Sequence, residues 1–166
     1  MINTEIKLNE VEQNICKAIA KLRFNNNRKS NVKNSKIGKQ SNRFTDLEGF
    51  GAEFAFCKLH NVFPDFSIQP RSAQDDQGDA LLPTGQSVDV KTTKYPTGKL
   101  LAVPWKKDNV DLYALMVGQF PTYIFKGFMI QDELLKEERI GSLGYGETYI
   151  ARQSELLELE SINAGG

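Results

Sequence analysis

Sulfur and imidazole are scarce in this 166-residue chain, which has two cysteines and one histidine. Cys16 and Cys57 are isolated thiols without pair spacing, which excludes a disulfide framework and a thiolate zinc site. With no disulfide pattern to read, a reducing cytoplasm is the expected compartment. His60 stands alone, so a Ser-His triad or a histidine-based nuclease is disfavoured, and the residue reads as structural or solvated. No apolar run approaches the roughly 18 residues that a membrane span needs, so no membrane partner is expected. The opening residues, Met1 to Lys7, lack the basic start and apolar stretch of a secretory leader. Net charge is absent too, because 21 Lys and Arg offset 21 Asp and Glu. What is present is an ordinary globular composition, 40% apolar and 25% charged, enough for one sizeable core.

The zero balance conceals a division. No acidic residue lies between Glu12 and Asp46, where nine basic ones fall, whereas the chain from Asp46 onward carries a net charge of −7. A basic segment ahead of an acidic body is the pattern of an arm that meets a polyanion. The same stretch is rich in asparagine (Asn25 to Asn27, Asn31, Asn34, Asn42), so a solvated linker is the plain alternative. Residues 1–43 read as a helix with a basic arm and 44–166 as the main folded domain. Arg28, Lys29, Lys33 and Lys36 are the arm's candidate phosphate contacts.

Leu8, Val11, Ile15, Ala18, Ile19 and Leu22 recur at helical spacing and predict a helix to about Phe24, with an apolar stripe suited to a homodimer. Asn25 to Asn42 predicts a loop. Thr45 followed by Glu48 predicts a capping box that opens a helix running from Asp46 to about His60. Phe66 to Pro70 and Asp79 to Pro83 read as short strands, and the alternation of Val88 and Val90 predicts a strand from Gln86 to Thr93. Pro83-Thr84-Gly85 supplies the turn of a hairpin between the last two. Val110 to Val117 suits a central strand covered on both faces, and Tyr123 to Ile130 another. Gln131 to Glu138 reads as a short helix, Glu147 to Ala151 as an edge strand and Ser154 to Glu160 as a terminal helical turn. The expected class is α/β or α+β with a mixed central sheet flanked by helices.

Chemistry concentrates in Glu53, Asp79, Asp89 and Lys91. Two positions apart on one strand, Asp89 and Lys91 leave by the same face, and the hairpin brings Asp79 toward Asp89. Two carboxylates with a strand carbonyl are hard oxygen donors, suited to Mg²⁺ or Mn²⁺ rather than to zinc. A lysine beside them can orient water and offset charge on a phosphate. The plain alternative is a surface ion pair between Asp89 and Lys91, worth at most about 1 kcal/mol. Lys94 continues past the site and could touch phosphate, while Trp105, next to Lys106 and Lys107, suits either base stacking or core packing.

Gly51-Ala52-Glu53-Phe54-Ala55, Gly78-Asp79-Ala80-Leu81-Leu82 and Val88-Asp89-Val90-Lys91-Thr92-Thr93 together resemble the PD-(D/E)XK nuclease superfamily over Phe44 to Gly118. One departure is Gly78, where the family's motif has proline. The resemblance implies a restriction-endonuclease-like core and a Mg²⁺- or Mn²⁺-dependent DNA endonuclease, structure-selective like a Holliday-junction resolvase or a small phage-type nuclease. It implies that Asp79, Asp89 and the Val90 carbonyl hold the metal, that Lys91 positions the water and that Glu53 is an auxiliary carboxylate. An exonuclease of the same superfamily and a non-catalytic nucleic-acid-binding module are the competing readings. Metal dependence separates the binding module from the enzymes.

Overall fold

Five strands form a mixed sheet in the order β1-β6-β5-β3-β2. They are β1 (Glu5–Lys7), β2 (Ala80–Leu81), β3 (Ser87–Thr93), β5 (Leu112–Gln119) and β6 (Thr122–Ile130). The computed structural model describes residues 1–29, 42–69, 78–104, 109–144 and 146–165. Two long helices, α1 (Glu10–Lys29) and α2 (Asn42–His60), cover one face of the sheet. The other face is covered by a three-stranded sheet, β4-β8-β7, built from Leu100–Ala102, Glu147–Ala151 and Ile140–Ser142. Gln131–Leu134 (α3), a 3-10 turn at Glu137–Arg139, another at Gln153–Glu155, and Leu159–Ala164 (α4) complete the described structure. Among the described residues, no helix is long and apolar enough to cross a membrane.

Strand alternation divides the core. Val88, Val90, Leu112, Ala114 and Met116 point to the helical side, where they meet Phe50, Phe56 and Cys57 of α2. Tyr113, Leu115 and Val117 point the other way, against Leu100, Ala102 and Ala151 of the small sheet. Leu112 to Val117 is buried throughout, as a central strand with both faces covered must be. It runs parallel to β3 and antiparallel to β6. The expected hairpin between β2 and β3 forms, with Ala80 opposite Val88 and Leu81 opposite Ser87, although its first strand is only Ala80–Leu81 rather than Asp79 to Pro83.

Several local expectations are corrected. The first helix starts at Glu10 rather than Leu8, because Asn9 caps it: Asn9 Oδ1 accepts from Glu12 N–H at 2.9 Å, and Glu12 returns to Asn9 N–H at 2.8 Å. It extends past Phe24 to Lys29, into the asparagine run. Arg23 and Asn26 explain the extension, because their side chains donate to the carbonyls of Asp65, Ser67 and Ile68. The same bonds explain why Phe66 to Ile68 is not a strand. The Ser67 and Ile68 carbonyls accept from α1 side chains instead of from a neighbouring strand.

The second helix begins at Asn42, so Thr45 lies inside it and does not cap it. Glu48 reaches elsewhere, accepting from Phe120 N–H at 3.0 Å and from the Tyr123 hydroxyl at 3.2 Å. Gly51 lets α2 approach this turn, since a Cβ there would run into Tyr123 and Phe120. Glu147–Ala151 is not an edge strand but the middle of the small sheet. The short helix from Gln131 stops at Leu134. Its expected continuation is a separate 3-10 turn. Residues 1–29 share the core with the rest: β1 pairs with β6, and Cys16 is buried in the cluster under α2.

Candidate active site at the edge of the central sheet

Asp79 enters the site through the backbone before its side chain does. Its N–H donates to Val88 O at 2.7 Å, next to the last register pair, Ala80 and Val88. Its carboxylate then accepts the N–H of Val90 at 2.8 Å. In an extended antiparallel pairing a residue's N–H and C=O point to the same neighbour. The Val90 carbonyl therefore faces the same edge as the Asp79 carboxylate. Gly78 accounts for the missing proline. Its φ is +84°, which proline cannot adopt, and a Cβ there would come within 2.6 Å of Val88 O.

Asp89 and Lys91 are on the opposite side of β3 from Val88 and Val90, as the alternation predicts. Asp89 is 6% exposed, and the Lys91 Nζ stands 2.6 Å from its Oδ2. Tyr113, the register partner of Asp89, lies beneath the lysine, its ring centroid 6.0 Å from Nζ. The carboxylate is buried and the amine partly so, and the simple surface ion pair does not describe them.

Glu53 is positioned by helices. Its Oε2 is 3.2 Å from the Arg23 guanidinium, which also stacks over Phe50 at 4.6 Å. Arg23 is thus turned inward, away from the phosphate-facing role of the basic segment. Ile15 and Ile19 stand eight and four residues before Arg23, so the helical spacing of the apolar stripe is the signal that places it on the inward face. Cys57 reports on the surroundings of Glu53: burial first, then the carboxylates of Glu53, Asp79 and Asp65, push its thiol up to about 12. Glu53 and Asp79 accordingly act on one buried thiol. A groove of about 350 Å³ opens beside Asp79, lined by Phe63, Asp65, Phe66 and Gly78 to Leu81.

The donor set can be weighed against a divalent ion. Asp79, Asp89 and the Val90 carbonyl supply hard oxygens, the kind Mg²⁺ takes together with water and a substrate phosphate. Among the described residues, no group of three or more His, Cys, Asp or Glu is placed to hold a metal ion. Glu53, Asp79 and Asp89 are therefore not closed into a three-carboxylate cage.

Of the candidate nucleic-acid contacts, Lys29 and Lys94 are exposed, at the end of α1 and just past β3. The backbone of Arg28 is in α1, while Lys33, Lys36 and Trp105 lie outside the described residues. His60 is structural: its ring packs 4.3 Å from Phe56 and 5.0 Å from Phe125, and burial lowers its pKa to about 4.

An α/β architecture with a mixed sheet and a carboxylate–lysine edge is the class that this geometry defines. Residues 2–124 match a family described as being of unknown function, DUF5843, and the chain belongs to it. The matched stretch contains all four candidate residues, Glu53, Asp79, Asp89 and Lys91. No curated protein matches the chain.

Proposed function

We propose that the protein is a metal-dependent DNA phosphodiesterase of PD-(D/E)XK type, with an endonucleolytic, structure-selective action. The observation that carries this reading is the β2–β3 edge. There Asp79 accepts from Val90 N–H, and Lys91 pairs with buried Asp89 two residues along the strand. Asp79, Asp89 and the Val90 carbonyl would hold the ion, with Glu53 as an auxiliary carboxylate on α2. When bound, a Mg²⁺ or Mn²⁺ ion supplies Lewis-acid stabilisation of charge on a phosphoryl oxygen. Lys91 donates hydrogen bonds from Nζ, orienting water for in-line attack and offsetting charge on the phosphate. The Tyr113 ring beneath Lys91, together with Asp89, limits the positions Nζ can take.

The crossover between β3 and β5 contains β4 of the second sheet. A restriction-endonuclease-like core is thus proposed for α2, β2, β3 and β5 alone, with the small sheet as an addition to it. The test is a panel of labelled linear, nicked, flapped and four-way DNA incubated with Mg²⁺. Cleavage that EDTA abolishes supports the reading. Metal-independent binding without cleavage on every substrate would replace it with the non-catalytic binding module.

A further inference from the structure

We propose that the turn after β3, Lys94 to Lys99, is a stacking site for an unpaired nucleobase of single-stranded DNA, with Tyr95 as its platform. This deepens the nuclease reading and rests on it. Tyr95 is 63% exposed, yet the turn beneath it is firmly built. Gly98 N–H donates to the Tyr95 carbonyl at 2.9 Å, closing a four-residue turn with Pro96 second and Gly98 fourth, positions these residues favour. Tyr95 N–H donates to Thr93 Oγ1 at 3.3 Å. Gln153, from the 3-10 turn after β8, donates through Nε2 to the carbonyls of Pro96 at 2.9 Å and Gly98 at 2.8 Å. A Cβ on Gly98 would collide with the Thr93 side chain, so the turn lies flat on the strand. The ring is presented to solvent on a mount that needs little further ordering when a ligand arrives.

A lone exposed tyrosine would carry no meaning. Here charge gives it one. Between Asp89 and Asp108 the chain has no acidic residue, although the chain from Asp46 onward has a net charge of −7. Lys94 and Lys99 bracket the turn and are both exposed, and the Lys94 Nζ stands 5.4 Å from the Tyr95 ring centroid. Phosphates flanking a stacked base would meet these two ammonium groups. Lys91 lies four residues before Tyr95, at most about 13 Å along an extended chain. A single bound strand can therefore reach both. Stacking on an aromatic ring tolerates any base but requires that the base be unpaired. The turn would thus favour substrates with a single-stranded segment beside the scissile phosphate.

The test is fluorescence anisotropy of the full chain with a short labelled oligothymidylate and with a duplex of the same length, in Ca²⁺. Tyr95→Ala should weaken single-strand binding about 10- to 100-fold, and Tyr95→Phe should stay within about twofold of wild type. Duplex affinity should change less. Wild-type affinity of Tyr95→Ala for the single strand, or an equal loss on both DNAs, overturns the stacking site while the nuclease reading stands. A wild-type protein that binds neither DNA overturns both.

Discussion

Glu48 and Asp89 are both 6% exposed, on opposite sides of the same sheet, and they are held in different ways. Glu48 is surrounded by neutral donors: Phe120 N–H at 3.0 Å and the Tyr123 hydroxyl at 3.2 Å. Burial raises its pKa, and those two hydrogen bonds oppose the rise. Asp89 faces a cation instead, Lys91 at 2.6 Å, on a strand whose neighbouring amide engages the Asp79 carboxylate. The first arrangement ties α2 to the turn between β5 and β6. The second sets a carboxylate against an amine on a strand whose next amide engages another carboxylate. Burial alone does not tell the two sites apart; the nature of their partners does.

Breaking the two carboxylate sites should give different readouts. The largest effect is expected at Lys91. Lys91→Ala should lower cleavage about 100- to 1,000-fold, with DNA binding little changed, because in the proposed mechanism the amine acts on charge that develops during reaction. Single-turnover cleavage beside anisotropy checks this, and a wild-type rate would remove Lys91 from the mechanism. Next comes Glu48→Ala, which leaves the Phe120 amide without its buried acceptor, while the Tyr123 hydroxyl keeps the backbone carbonyl of residue 48 at 3.1 Å. It should cost about 1–3 kcal/mol in urea unfolding and leave DNA affinity unaltered.

A smaller effect concerns pH. His60 has its pKa lowered to about 4 from 6.5, so the unfolded state binds the proton more readily. Stability from this residue is present above about pH 6.5 and is lost as pH falls toward 4. Melting temperature followed over that range should fall less in His60→Phe than in wild type. The subtlest change is expected from the basic segment. Replacing Arg28, Lys29, Lys33 and Lys36 with serine should flatten the dependence of log affinity on log salt by up to about 3–4 units. An unchanged slope in Ca²⁺ would make the segment a solvated linker and move the DNA groove to Lys94, Lys99, Lys106 and Lys107.

The β2–β3 hairpin was legible because local signals agreed there: alternating Val88 and Val90, the Pro83-Thr84-Gly85 turn, and the Asp89–Lys91 spacing. The β5 strand was legible from its unbroken apolar run. The small sheet was not, since Leu100–Ala102 and Ile140–Ser142 are three residues each and too short to display a period. The length of α1 and the absence of a strand at Phe66 were decided by Arg23 and Asn26 bonding across the fold, which no window of sequence contains. Glu48 was misread for a related reason. Its spacing from Thr45 mimics a capping box, while its real partners lie more than 70 residues away.

Calorimetric titration of Mn²⁺ into the wild type, Asp89→Asn and Glu48→Gln tests the central distinction most directly. The Asp89 edge should bind the ion, so wild type and Glu48→Gln should give matching isotherms while Asp89→Asn gives little or no binding heat. Equal binding by Asp89→Asn and wild type, or loss of binding in Glu48→Gln with its fold intact, would contradict the assignment.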